Sequence, residues 1–435
     1  MLMRSIRRLA DRAAFDARIP GSVLACLLVL ALFREAQAQE GWTRFRGPDG
    51  TGISDSQSIP VTFQEADYRW NVPLPGSGHS SPVLWGRKLF LTCEIQESHE
   101  RFVVCLDAGD GRILWTFKDT YEPYRNHSFN SFAASTPAVD AERVYVSWIS
   151  GETFIVLALD HGGNQVWKRT MGDFQAMFGA GASPIVLDGV VIMGNDHDGQ
   201  TSFLIGLDAK TGETRWKLPR KSGLASYVTP AVYRPQSGPV EVIFSSTAHG
   251  VSGIDPRTGK VNWELDGLFT LKNVASPVVA GELVFASGGQ GGGGVESAVV
   301  RRGDGPSGRK PERAYVISSG LPYVPTPVVF AEHLYLWSDL GLVTCLEAAT
   351  GNQVWQQEIG GQYFSSPVCV DGRLYGVSKK GEVVVIQASP QFQVLGRSQL
   401  PEGSYATPAV ANGCIYFRTF GRLISVGASG EAPRS

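Results

Sequence analysis

Short apolar runs recur along this chain at a regular interval, each opened by a hydroxyl residue and a proline. The pairs are Ser81-Pro82, Thr136-Pro137, Ser183-Pro184, Thr229-Pro230, Ser276-Pro277, Thr326-Pro327, Ser366-Pro367 and Thr407-Pro408, 40 to 55 residues apart. After each pair, β-branched and aromatic residues alternate with polar ones between Gly and Asp turns. That pattern predicts four short antiparallel strands per unit. The third strand ends in Leu-Asp-Ala-x-Thr-Gly or a variant, and the fourth carries a tryptophan. Trp115, Trp216, Trp263 and Trp355 lie eight residues after Asp107, Asp208, Asp255 and Glu347, whereas Trp167 follows Asp160 by seven. Glycine in the Thr-Gly turn supplies positive φ, and the acid before it accepts turn amides.

A lone four-stranded sheet cannot bury both of its faces, so such units stack radially. Eight of them predict an all-β fold, an eight-bladed β-propeller, with the blade tryptophans filling the wedges between twisted sheets. After Thr407-Pro408 the chain suffices for three strands only. Tyr68-Arg69-Trp70-Asn71-Val72 lies eleven residues before Ser81, just as Trp355 lies eleven before Ser366. The amino-terminal strand is therefore expected to complete the last blade and remove the open sheet edges. This divides the chain into a leader (1–38), an extension (39–67), the propeller (68–427) and a polar tail (428–435).

The leader reads as an export signal. Arg4, Arg7, Arg8 and Arg12 precede the apolar run Val23 to Phe33, and Ala36-Gln37-Ala38 forms a small-x-small cleavage site. Eleven apolar residues fall short of about 30 Å of hydrocarbon, which favours cleavage near Gln39 over a retained anchor and leaves no membrane span. Export implies a periplasmic or secreted protein. The leader holds six of the 39 basic and three of the 41 acidic residues, so the remainder carries a net charge of about −5. Without a polybasic run, nucleic acid is not an expected partner.

Five cysteines follow the leader: Cys93, Cys105, Cys345, Cys369 and Cys414. An odd number excludes a complete disulfide framework. Cys105 and Cys345 occupy equivalent repeat positions and read as small core hydrophobes. A cross-strand bridge from Cys93 to Cys105, about a hairpin centred near His99, is an open alternative in an oxidising compartment.

Strand alternation places the loops entering each Ser/Thr-Pro pair on one face, together with the turns between second and third strands. His79, His99, His127, His197 and His249 fall there. Positions two or three before each pair are expected to ring the channel mouth: His79, Ala133, Gly181, Tyr227, Asn273, Tyr323, Tyr363 and Tyr405. Such tyrosines either stack on sugars, cofactors or peptides, or simply plug the channel. The long connection Lys118 to Ser135 adds Tyr121, Tyr124, Arg125, Asn126, His127 and Asn130 to this face. Gly288 to Gly294 reads as a flexible loop rather than a dinucleotide fingerprint, having no βαβ context. Asp196-His197-Asp198 offers metal-ligand types in one turn, although acids beside Gly are ordinary turn formers. Neither Cys-x-x-Cys, His-Glu-x-x-His nor Gly-x-Ser-x-Gly occurs.

The Leu-Asp-Ala-x-Thr-Gly-x-x-x-Trp repeat resembles the quinoprotein-type (PQQ-like) propeller family, which spans pyrroloquinoline-quinone (PQQ) alcohol dehydrogenases and BamB-like assembly lipoproteins. Trp42-Thr43-Arg44-Phe45-Arg46-Gly47-Pro48-Asp49-Gly50 is similar to the leader of exported PQQ-like repeat proteins of planctomycete-type bacteria. For the enzymes, the resemblance implies adjacent cysteines, a calcium held by Glu, Asn and Asp, and an acidic base. This chain has no adjacent cysteines, and its expected mouth ring has no carboxylate. Lys272 and Arg125 are the cations available to the carboxylates of PQQ. The expectation is thus a monomeric, non-catalytic binding or scaffold protein whose partner is an envelope protein or a carbohydrate. PQQ with Ca²⁺, serving an oxidoreductase, is the alternative.

Overall fold

The computed structural model describes residues 41–221, 223–236, 238–305 and 308–427. The export leader and the polar tail lie outside the described residues. Eight sheets follow one another around the chain, each a meander of four antiparallel strands. The first runs Val83–Trp85, Lys88–Ile95, Glu100–Asp107 and Ile113–Thr120. Each Ser/Thr-Pro pair immediately precedes an innermost strand, where a proline removes no ladder donor because that strand borders the channel.

The pairs also tie the blades together. The amide of Ser81 donates to Thr136 Oγ1 at 2.9 Å, and that of Thr136 to Ser183 Oγ at 2.9 Å. The same step links Thr229 to Ser276, Ser276 to Thr326, Thr326 to Ser366 and Ser366 to Thr407. The hydroxyls of Thr136, Ser183, Ser276, Thr326, Ser366 and Thr407 are therefore acceptors for the preceding blade as well as strand openers.

The outer rim has a second tie. The indole N–H of Trp70 donates to Ala108 O, Trp115 to His161 O, Trp167 to Ala209 O, Trp216 to Pro256 O and Trp355 to Ser389 O, at 2.9 to 3.1 Å. Each acceptor belongs to the following blade, near the end of its third strand. The ring then covers that blade's turn glycine: a Cβ on Gly212 would lie 2.6 Å from Trp167, and one on Gly259 2.5 Å from Trp216. Glycine is required there by φ near +70° and by the ring on top of it. Blade five replaces tryptophan by Tyr315, whose hydroxyl reaches Ala348 O. Trp263, facing a third strand that ends in Arg301-Arg302-Gly303, turns instead to Glu241 of its own blade at 2.9 Å.

Closure follows expectation. Tyr68–Pro73 pairs antiparallel with Arg422–Gly427, with Trp70 opposite Ser425, as the outer strand of blade eight. The apolar core is divided into clusters between blades; one joins Phe90 and Cys105 of blade one to Val146 and Leu157 of blade two.

Residues 41–54 cross the inside of the ring. Trp42 O accepts from Leu84 N and Thr43 O from Val139 N, on blades one and two. Ile53–Ser54 then pairs in parallel with Cys369 and Val370 as a fifth strand on blade seven. Between them, Arg46 donates to Thr326 O, Pro327 O and Pro367 O, and Arg44 to Pro230 O. Both guanidiniums are buried with carbonyls as their hydrogen-bond acceptors, and desolvation lowers them to about 10 for Arg44 and about 9 for Arg46.

One open alternative falls, the Cys93–Cys105 bridge, and one expectation, the flexible glycine loop, needs correction. Cys93 lies opposite Phe102 and Cys105 opposite Phe90, because the hairpin turns at Gln96–Ser98, and all five described cysteines are free and buried. The glycine run is an ordered hairpin, not a loop: Leu283–Gln290 and Gly293–Arg301 pair through Gly291 and Gly292, at φ 64° and 81°, the signature of a type I′ turn. Among the described residues no helix is long and apolar enough to cross a membrane.

Candidate functional site

At the end of the channel on the side of the entering loops lies a cavity of about 570 Å³. Its floor is Phe45 of the amino-terminal extension together with all eight hydroxyl residues of the Ser/Thr-Pro pairs. Its wall is aromatic. Phe364 and Tyr405 meet edge to face at 5.0 Å, and Phe129 packs on them at 5.7 and 6.2 Å. Phe129 arrives from the long connection between blades one and two, which Asn130 pins by donating to Phe178 O and Ala180 O. The Lys379 ammonium lies 3.8 Å from the Phe129 ring centre and 4.2 Å from that of Phe364.

Among the described residues Asp339 is the one carboxylate on the wall. It is almost wholly buried and accepts the amides of Tyr323 (2.6 Å) and Val324 (3.1 Å). Burial outweighs those bonds and raises its pKa to about 6. His79 stands beside Tyr405 at 4.8 Å; burial, helped by Arg418, pushes its imidazole down to about 3 and keeps it neutral.

Of the sequence-derived candidates, His79, His127, Tyr227, Tyr323 and Tyr405 line this cavity. Asn273 and Tyr363 do not. Both are fully buried, Asn273 Nδ2 donating to Ser287 O at 2.7 Å and Tyr363 packing on Trp337 at 5.3 Å. The reason is strand parity. The second residue before each pair shares the side of the hydroxyl, so Ala134, Val274 and Phe364 face the cavity in place of Ala133, Asn273 and Tyr363; blade six is the exception, where Tyr323 lines the cavity beside Val324. Lys272 lies off the wall, 3.8 Å from Asp198 and 4.3 Å from the Phe178 ring centre. Arg125 is exposed on the long connection, and Asn126 packs near Gly179.

The Asp196-His197-Asp198 turn does not converge on a point. Asp196 pairs with buried Arg220 at 3.2 Å, His197 Nδ1 accepts from Gln175 and Gly199, and Asp198 accepts from Met177 and Ala225. Among the described residues no group of three or more His, Cys, Asp or Glu is placed to hold a metal ion.

The expectation of a mouth without a carboxylate is corrected by Asp339. Its signal was in the repeat: Ser338-Asp339-x-Gly341 and Ser378-Lys379-x-Gly381 are the same turn in adjacent blades, on the face already identified. Phe45 and Phe129 left no such signal.

A closed ring of eight blades, five of them latched by tryptophan to the next, its channel crossed by residues 41–54 and open as a cavity on one face, defines a quinoprotein-type repeat propeller. A family model described as outer membrane protein assembly factor BamB matches residues 99–313 and again 298–432, and the chain belongs to that family. An outer membrane protein assembly factor BamB of Yersinia pestis is 22% identical over 339 residues, 78% of this chain and 70% of that protein. A BamB of Burkholderia pseudomallei is 32% identical over 114 residues, 26% of this chain and 29% of the relative. Among solved structures, quinohemoprotein alcohol dehydrogenase from Comamonas testosteroni superposes with a TM-score of 0.65 at 14% identity, covering 93% of this chain and 83% of that one. BamB from Moraxella catarrhalis gives 0.60 at 16%, covering 84% and 98%. These two likenesses establish the fold and nothing finer.

Proposed function

We propose that this chain is a non-catalytic binding and scaffold protein of the cell envelope, exported by its leader, that receives a partner on the face carrying the cavity. One observation carries the reading. Among the described residues ten large apolar side chains are left exposed; Phe129, Met177, Leu224 and Leu340 stand on loops of this face and Val295 on the Gly293–Arg301 strand just past its hairpin turn. Leu340 is 68% exposed and Val295 58%. Apolar side chains gathered around one opening mark an interaction face. The relatives' name, outer membrane protein assembly factor, supports an envelope protein as the partner; a carbohydrate stacking on the aromatic wall is the second candidate.

The donor set argues against a calcium-bound quinone. Asp339 is the sole wall carboxylate and already accepts two amides, and Lys272 is turned to Asp198. These residues do not fit PQQ with Ca²⁺, and no catalytic step is drawn through it. The test is titration of the purified protein with PQQ and Ca²⁺, followed by quinone absorbance and dye-linked alcohol oxidation. The proposal expects no turnover; saturable binding with turnover would replace it by the oxidoreductase reading.

A further inference from the structure

The connection from blade one to blade two does not take the short route between them. Phe129, near its end, lies on Phe364, Lys379 and Tyr405, which enter or belong to blades seven and eight. Residues 123–129 thus pass over the channel mouth as a strap, and His127, Phe129 and Asn130 complete the wall of the cavity beneath.

The two feet of the strap are fastened. Glu94 of blade one holds both, accepting the hydroxyl of Tyr121 at 3.2 Å and the amide of Phe132 at 3.1 Å. The Glu122 amide donates to Ser150 Oγ, and Asn130 Nδ2 donates to Phe178 O and Ala180 O, each at 2.9 Å. Between the feet the fastening stops. Among the described residues no hydrogen bond leaves Arg125 to Phe129 except to Asn130, and those within the span run through His127. The tip is held down by two edge-to-face ring contacts and by the Lys379 ammonium, 3.8 Å from the Phe129 ring centre. Each such contact is weak. They are opposed by Asn126, whose Oδ1 is buried without a donor, a loss of hydration that nothing in this position compensates.

We infer that residues 123–129 are a lid: closed over the mouth in this conformation, it turns on Glu122 and Asn130 and lifts to uncover Phe364, Tyr405 and Lys379 when the envelope-protein partner docks. A short span between two fixed ends can move in this way, its end residues absorbing the change in φ and ψ. The uncovered rings extend the apolar rim beside Leu340 into the cavity, so an open lid and a bound partner favour each other. The inference rests on the reading of this face as the binding face and adds how access to it is regulated.

The test needs no partner. Nitroxide labels at Ser128→Cys and Lys380→Cys, both exposed positions, report the separation of strap and blade seven in the full chain with Cys26→Ser, the five described cysteines being buried. A short separation is expected to dominate in the native background and a longer one with Phe129→Ala. Lys379→Gln should move the balance the same way, and Lys379→Arg should restore it. Ser81→Cys reads access to the floor, where Ser81 Oγ has no partner. Its alkylation by iodoacetamide should quicken at least tenfold with Phe129→Ala while Cys105 and Cys345 stay unmodified. A single separation shared by the native background, Phe129→Ala and Lys379→Gln would overturn the lid. So would alkylation of Ser81→Cys at one rate in all three, or in step with Cys105, which marks unfolding. Failure here leaves the binding face standing; a movable lid with no partner captured at the rim would remove the binding face alone.

Discussion

Gly259 and Gly281 offer a way to measure what the tryptophan latch contributes. Both have left-handed backbone, at φ +71° and +59°. Alanine at either position bears the left-handed cost of about 1–2 kcal/mol. The two then part. A Cβ on Gly281 meets nothing within 4 Å, whereas one on Gly259 comes to 2.5 Å from Trp216, well inside an ordinary carbon contact of about 3.5 Å. The indole cannot step back easily. Gly206 lies against its other side, where a Cβ would be 2.3 Å away, and its N–H is held by Pro256 O at 2.9 Å. Overpacking of this kind adds about 1–3 kcal/mol. Gly259→Ala should therefore lower the stability by about 2–5 kcal/mol and Gly281→Ala by about 1–2, read from urea unfolding midpoints. Trp216→Ala alone should cost about 3–5 kcal/mol. In the double variant the new methyl enters the space the ring has left, so the combined cost should fall short of the sum by about 1–3 kcal/mol. Equal costs for the two glycines, or strict additivity of Gly259→Ala and Trp216→Ala, would refute the latch.

Arg46→Ala strips Thr326 O, Pro327 O and Pro367 O of their donor and should cost about 3 kcal/mol or more, seen as a lowered melting temperature; an unchanged melt would mean the amino-terminal extension does not seal the channel. His79 is depressed to about 3 in the folded protein, so its contribution is complete above about pH 6.5 and is lost as pH falls towards 3. Asp339, raised to about 6, has the opposite slope between about 4 and 6, so the test compares the native protein with His79→Gln. The stability difference between them should shift by about 2 kcal/mol against the native protein from pH 7 to pH 5, and a constant difference would contradict the burial of His79. Burial pushes Cys93 and Cys345 up to about 11, and Cys105 and Cys369 to about 12. Ellman's reagent should reach these thiols only after unfolding, and rapid reaction of the native protein would misplace them.

Blade number, strand order and closure were legible because each is written locally: eight hydroxyl-proline pairs, a constant acid-to-tryptophan spacing, and one unpaired Trp strand at the amino end. Which side of a strand faces the channel was legible only once a landmark fixed the parity, and the hydroxyl is that landmark. Counting from it selects Phe364 and passes over Tyr363. The placement of Arg44 and Arg46 was not legible, since their acceptors are backbone carbonyls on blades four, six and seven, and carbonyls leave no mark in side-chain identity. Trp263 departed from the latch because its neighbouring blade lacks the Leu-Asp-Ala turn, a deviation visible in the repeat once the acceptor of each indole is known.

The account stands most directly on contact at the mouth. A photoreactive amino acid at Leu340, on the rim, and at Leu114, on the outer strand of blade one, can be compared in cells exporting the full chain. Both side chains are exposed, so accessibility alone does not separate them. Envelope-partner adducts from position 340 with none from 114 are expected; adducts from 114 with none from 340 would move the binding surface away from the cavity.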